Sequence, residues 1–295
     1  MKRDVRGGSS GSVLLLSLWI LALLGLVAAS LSLRTRILLR LTQNRWGEIE
    51  SAQLAKMAAC VGRAAWRKRS AQGEGPQGTW SDDPELFKDY TVPEGSFTVT
   101  RKTVDDNGRE QVYYGMEDES GKINLNSAPP EVLARLFGIH ADVVPAVLNR
   151  HGAFRSVEEL LLVRGVTPEL FQDVNDSLTV YSAGPVNINT ASGRVLQALG
   201  LPASMVRKIL LLRKGTAFSN AGAVVPLLKT AASLSNAETE ALSNLIRQNL
   251  LTVQPSAFRL HVLTRPENSR LSSRFSIVMS ASGRGRILYW RETGP

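Results

Sequence analysis

Apolar and polar positions follow three different rhythms along this chain. From Ser12 to Leu33 the run SVLLLSLWILALLGLVAASLSL holds no charged residue. As a helix it would span about 33 Å, enough to cross a hydrocarbon core of about 30 Å. Lys2, Arg3 and Arg6 precede it, and Arg34, Arg36 and Arg40 follow, so flanking charge does not orient it. From Arg34 to Arg69, apolar Leu38, Leu41, Ile49, Leu54, Met57 and Val61 are scattered among charges with no turn signal before them. One long helix, half in lipid and half out, is the expectation. Residues 70–84, rich in Gly, Pro and charge, read as a linker.

The second rhythm is alternating. Phe97 to Val104 and Gln111 to Met116 are rich in β-formers and flank Asp105-Asp106-Asn107-Gly108, so the spacing predicts a hairpin. Three more strands are expected at Phe258–Leu263, Arg274–Ser280 and Arg286–Trp290. A sheet divided so widely along the chain implies an α+β fold with an inserted helical domain.

The third rhythm is helical and occurs twice. GKINLNSAPPEVLARLFGI begins at Gly121 and GPVNINTASGRVLQALGL at Gly184. Asn124/Asn187, Asn126/Asn189, Ala128/Ala191, Val132/Val195, Leu133/Leu196, Leu136/Leu199 and Gly138/Gly200 correspond, and the likeness runs on to Phe154/Phe218. Two related units are present, each a helical hairpin followed by further helix. Ser127 or Thr190 is expected to cap each first helix, with Pro129 and Pro130 in a first turn. Ser156 to Glu159 and Ser235 to Glu238 match a capping box. The paired asparagines are expected to satisfy backbone groups rather than to catalyse.

Composition narrows the function. The 295 residues carry a formal charge of +9. Residues 1–69 hold 12 Lys/Arg against 3 Asp/Glu, whereas residues 70–120 hold 4 against 12. The remaining excess lies in the C-terminal half, a pattern that suits a membrane-proximal base as well as a nucleic-acid groove. Cys60 is the one cysteine, so no intrachain disulfide exists, and its apolar neighbours predict a buried thiol. His140, His151 and His261 lack metal spacing. Gly7-x-Ser9-x-Gly11 imitates a nucleophile elbow but has no preceding strand. No phosphate loop or dinucleotide fingerprint occurs, and no catalytic residue is assigned. Glu117, Asp118 and Glu119 offer oxygen ligands for calcium, against the plainer reading of a solvated strand end.

The leader MKRDVRGGSSG resembles that of type IV pilin-like precursors. The resemblance implies cleavage by a prepilin peptidase after Gly11, making Ser12 the first mature residue, or after Gly8, exposing Ser9. It also implies a methylated mature N-terminus. Most such proteins have glutamate at mature position five; here Leu16 stands there, or Val13 under the alternative cut. The doubled unit resembles helix-hairpin-helix modules, some of which bind DNA through a Gly-hydrophobic-Gly hairpin. The corresponding triplets, Gly138-Ile139-His140 and Gly200-Leu201-Pro202, lack the second glycine, and Pro202 lacks an N–H. The first copy is also net acidic, which argues against nucleic acid as a partner. In the alternative reading of a membrane-anchored DNA-binding protein, Arg207, Lys208, Arg213 and Lys214 would meet phosphate.

Taken in order, the anchor without glutamate, Trp80, the hairpin, the run Asp118 to Asn126, the doubled insert and the late strands resemble the general secretion pathway protein K family of type II secretion minor pseudopilins. The resemblance implies a leader at 1–11, a transmembrane helix at 12–33 and its extra-membrane continuation at 34–69. A pilin-like α/β domain would comprise 70–120 and 255–295, interrupted by a helical domain at 121–254 with repeats 121–183 and 184–254. It further implies a non-enzymatic subunit of the fibre tip, anchored once in the cell inner membrane with its C-terminal domain in the periplasm. Other minor pseudopilins, the major pseudopilin, the peptidase and membrane lipid would be its partners. No cofactor is implied beyond calcium, which some members bind.

Overall fold

A single helix, α1 (Ser10–Gln72), carries both halves of the expected N-terminal rod. The structure is a computed structural model and describes residues 10–72, 80–104, 110–267, 272–283 and 285–294. From Val13 to Leu41 the large apolar side chains of α1 stand exposed among the described residues. Farther along, Leu54, Ala55, Ala58, Ala59 and Ala65 are buried. Ala55, Ala58, Ala59, Gly62 and Ala65 repeat at helical spacing, and this small-residue face lies on the sheet. At Gly62 an added Cβ would sit 2.8 Å from Met116 Sδ and 3.3 Å from Leu260. Cys60, expected to be buried, is exposed. Its apolar neighbours occupy the sheet-facing positions and turn it outward.

The sheet runs β1 (Tyr90–Val92), β2 (Gly95–Val104), β9 (Ala257–Pro266), β10 (Ser273–Ser280) and β11 (Ile287–Gly294) in spatial order. The hairpin partner β3 (Glu110–Tyr114) pairs with β2, and β4 (Glu117–Asp118) pairs with β9. All these pairings are antiparallel, with Val99 opposite Val262 at the seam of the early and late segments. The hairpin turn itself falls outside the described residues, as do residues 73–79 of the linker. Phe258, Leu260 and Val262 alternate inward along β9. Trp80 stands just before the short helix α2 (Pro84–Phe87), and its ring lies 4.9 Å from that of Phe258. The Trp66 ring of α1 packs 4.8 Å from the same phenylalanine, so helix, linker and sheet share one aromatic knot.

The elements of the two repeats lie between β4 and β9. The first copy comprises β5 (Ile123–Asn124), α3 (Pro130–Phe137), α4 (Val144–Leu148), α5 (Pro168–Val174) and β6 (Leu178–Thr179), joined in places by tighter 3-10 turns. The second comprises β7 (Val186–Asn187), α6 (Gly193–Ala198), α7 (Ala203–Gly215), α8 (Ala221–Ala232), α9 (Asn236–Arg247) and β8 (Leu251–Thr252). Each copy is closed by a parallel pair, β5 on β6 and β7 on β8. The copies share one core through α3 and α6.

Two capping expectations need correction. Pro129 occupies the cap position of α3 without a side-chain bond, and Ser192 caps α6 through the Val195 amide at 3.2 Å. Ser127 and Thr190 are displaced because the prolines and Ser192 lie closer to the first helical turns. Ser235 and Glu238 form the reciprocal box, whereas Ser156 makes no cap bond. Glu159 instead binds Arg150 at 2.6 Å and accepts the Arg155 amide at 3.3 Å, one residue before the expected cap.

Candidate functional site

The acidic run sits where the chain leaves the sheet for the first helical copy. Glu117 pairs with Arg259 and Asp118 with Phe258 on β9, after which Glu119–Gly121 forms a 3-10 turn into β5. Successive strand side chains point to opposite faces, so the three carboxylates part company. Asp118 accepts from the Ser120 amide, from Asn187 Nδ2 and from Thr190 Oγ1, each at 2.7 Å. The last two belong to the second copy.

Glu119, fully buried, accepts from Arg259 Nε at 2.5 Å and Lys122 Nζ at 3.1 Å, and its other oxygen takes the Thr179 hydroxyl. Lys122 also reaches Glu117 at 2.7 Å. Ser120 and Ser256 exchange a bond at 2.8 Å, and Ser256 Oγ accepts from the Ala183 amide at 2.9 Å. One short segment thereby fastens the sheet to both copies and to the returning strand.

Burial works against every charge in this cluster, and its partners decide each outcome. Burial opposes the ionised forms of Glu117 and Glu119, but Lys122 beside both, with Arg259 beside Glu119, holds each below the usual carboxylate range. Lys122 is correspondingly pushed up by its two glutamates against desolvation. Asp118 has donors but, among the described residues, no cation in contact, and burial pushes it up to about 6.

The trio does not fit a calcium cage. Lys122 already stands between Glu117 and Glu119, and Asp118 is turned toward the second copy with both oxygens occupied. Among the described residues no cluster of three or more His, Cys, Asp or Glu side chains is suited to a metal ion.

The paired asparagines do bind backbone, and they do so symmetrically. Asn126 and Phe154 exchange two bonds, at 3.0 and 2.7 Å, and Asn189 and Phe218 repeat the exchange at 3.0 and 2.9 Å. Asn124 Oδ1 accepts the Asn126 amide and Asn187 Oδ1 the Asn189 amide. The copies also trade close contacts. A Cβ at Gly121 would lie 2.9 Å from Thr190 Oγ1, and one at Gly184 would lie 3.1 Å from Ser127 Oγ. Thr190 and Ser127 occupy equivalent positions in the repeat, so the displaced caps serve as contact points between copies.

The remaining candidate residues are dispersed. Gly11 and Ser12 fall at the start of α1, Leu16 is 63% exposed on it, and Gly8 and Ser9 lie outside the described residues. Of the four basic residues in the second copy, Arg207 and Lys214 are exposed. Lys208 binds Glu238 at 3.0 Å, and Arg213 donates to the Ile188 and Ala191 carbonyls at 3.1 and 2.6 Å. Burial brings Arg213 down to about 10. Two of the four thus tie α7 to its own repeat. In the hairpin triplets both leading glycines adopt positive φ, but Ile139 is 92% exposed whereas Leu201 is buried. Sequence reasoning did not single out Lys122, Thr179 or Arg259, whose partners lie up to 140 positions away.

The helix-hairpin-helix motif family matches residues 118–179, which takes in Asp118, Glu119 and the first copy as far as β6. No curated protein matches the chain by sequence. Among solved structures, the chain is similar to a chain of the GspK-GspI-GspJ complex from the type 2 secretion system of enterotoxigenic Escherichia coli. The TM-score is 0.55 at 14% identity, covering 89% of this chain and 100% of that one. At that identity the likeness is one of fold. The chain shares its architecture with a component of a type 2 secretion complex and carries a helix-hairpin-helix motif in the first of its two repeats.

Proposed function

We propose that this chain is a minor pseudopilin of type II protein secretion, a non-enzymatic subunit that caps or initiates the pseudopilus tip. One observation carries the reading. A helix left bare from Val13 to Leu41 continues onto an antiparallel sheet whose strands are interrupted, between β4 and β9, by two helical repeats. The structural likeness to a chain of a type 2 secretion complex, over 89% of this chain and 100% of that one, supports the reading. In this reading the bare segment enters the cell inner membrane and then the fibre, with the sheet and repeats on the periplasmic side. Leu16 offers no carboxylate to a subunit beneath, and a carboxylate in lipid would cost a few kcal/mol unless paired. The repeats, held fast by the Asp118–Glu119 junction, form the bulk that blocks addition above. Prepilin peptidase would cut after Gly11, and other minor pseudopilins would bind alongside the apolar helix.

Intact-mass analysis of the membrane-extracted protein tests this reading, with the expected mature N-terminus at Ser12, N-methylated. Retention of Met1, or cleavage near Leu33 with release of a soluble product, would overturn it. Co-purification with the other minor pseudopilins is the second expected result.

A nucleic-acid receptor is the second reading, favoured by the helix-hairpin-helix match at residues 118–179. Salt-dependent DNA binding by the detergent-solubilised chain, lost in Arg207→Ala/Lys208→Ala, would support it. Absence of binding at low salt would remove it.

A further inference from the structure

The stretch of α1 just past the apolar span has an unusual charge pattern. Arg34, Arg36, Arg40 and Arg45 follow Leu33 with no carboxylate before Glu48. All four are exposed, and among the described residues none is paired with a carboxylate. Exposed Ile37, Leu38, Leu39 and Leu41 are interleaved with them, and exposed Trp46 follows. This is the composition of a segment at a membrane–water boundary, where long cationic side chains reach outward from an apolar stem.

The distribution around the helix decides what surface it meets. At about 100° per residue, Arg34 and Arg45 lie within about 20° of one another, and Arg36 and Arg40 within about 40°. The two pairs point to opposite sides of the rod. A partner protein or a nucleic-acid strand would take one face and leave the other solvated; a lipid layer meets every side. Along the axis Arg34 to Arg40 covers about 9 Å, close to the depth of one headgroup layer. Arg45 lies about 8 Å farther out, within reach of a tilted helix. The guanidinium fork matches a phosphate oxygen pair, and basic residues beside a membrane are attracted to anionic lipid.

We propose that Arg34, Arg36, Arg40 and Arg45 form a collar around α1 that binds the phosphates of anionic phospholipids and fixes the depth of the helix before assembly. This rests on the reading of α1 as a membrane anchor. The full chain is reconstituted into vesicles of phosphatidylcholine alone, or of phosphatidylcholine with phosphatidylglycerol. Flotation reports insertion, and spin-labelled phosphatidylglycerol against spin-labelled phosphatidylcholine reports lipid selectivity. The expected result is insertion in both vesicles with at least about fivefold preference for phosphatidylglycerol, weakened by salt. The preference should vanish in Arg34→Gln/Arg36→Gln/Arg40→Gln/Arg45→Gln while flotation persists. Insertion with equal association of both lipids would overturn the collar, as would a preference that survives the four substitutions. Failure to float in either vesicle would overturn the anchor reading itself, and the collar with it.

Discussion

Asn187 donates its side-chain amide to Asp118 at 2.7 Å across 69 positions of chain. The equivalent amide in the first copy, that of Asn124, reaches the Ser182 carbonyl at 2.6 Å instead. Two equivalent asparagines therefore do different work. The first closes its own repeat, and the second moors its repeat to the sheet.

Asp118→Ala should loosen that mooring. The Ser120 amide, Asn187 and Thr190 would each lose an acceptor in a buried setting, a cost of about 3 kcal/mol. Chemical denaturation in detergent would record the loss. The carboxyl also has a pH signature, because burial raises it from 3.8 to about 6. Between those values the folded state keeps a proton that the unfolded chain has released, so this group's contribution falls as pH rises through the window. Glu117 and Glu119, held low, act oppositely and lose their contribution as pH drops below the unfolded value of 4.5. The difference in stability between wild type and Asp118→Asn across pH isolates the Asp118 slope.

Glu119→Ala should be more damaging than any exposed carboxylate substitution. It would leave Arg259, Lys122 and Thr179 facing a buried gap, at about 3–5 kcal/mol. In a double-mutant cycle, Glu119→Gln and Arg259→Gln should cost clearly less together than the sum of their separate costs, since the interaction is removed once.

Gly121→Ala tests the exchange of contacts between repeats. The new methyl group would press on Thr190 Oγ1, and its distance to the Thr190 carbonyl carbon would be 3.1 Å. Because Thr190 is held by Asp118, it cannot retreat without breaking that bond. Destabilisation of about 1–3 kcal/mol is expected, with faster hydrogen exchange at the Asn187 to Thr190 amides.

Asn189→Ala should cost more than Asn126→Ala, although the two sit at equivalent positions. Asn189 is 2% exposed and donates to the Val253 carbonyl as well as to that of Phe218, whereas Asn126 lies at the surface. About 2–3 kcal/mol against about 1 kcal/mol is expected. Exchange protection of the Phe218 and Phe154 amides would rank the two variants.

Local patterns made much of this architecture legible. The uncharged run and its continuation specify one helix, because no Pro interrupts residues 12–69 and the glycines there, Gly25, Gly47 and Gly62, stand singly. Alternation placed the strands, and the doubled N-x-N signature placed the repeats. Where two side chains competed for one cap, as Thr190 and Ser192 did for α6, pattern alone did not select the winner. Cys60 was misjudged because apolar neighbours in sequence say nothing about which side of a helix meets the sheet.

The sequence by itself determined the kinds of element present, their order and the repetition within the insert, since these follow from hydrophobic period, turn chemistry and propensity over a few residues. Only the tertiary structure decided what the acidic run does. Three adjacent carboxylates resemble a solvated strand end or a cation cage until neighbouring Lys122 turns back on them and Thr179, Asn187, Thr190 and Arg259 arrive from distant segments. A buried charge is defined by the donors folding brings to it, and in this chain those donors are contributed by both repeats and the returning strand.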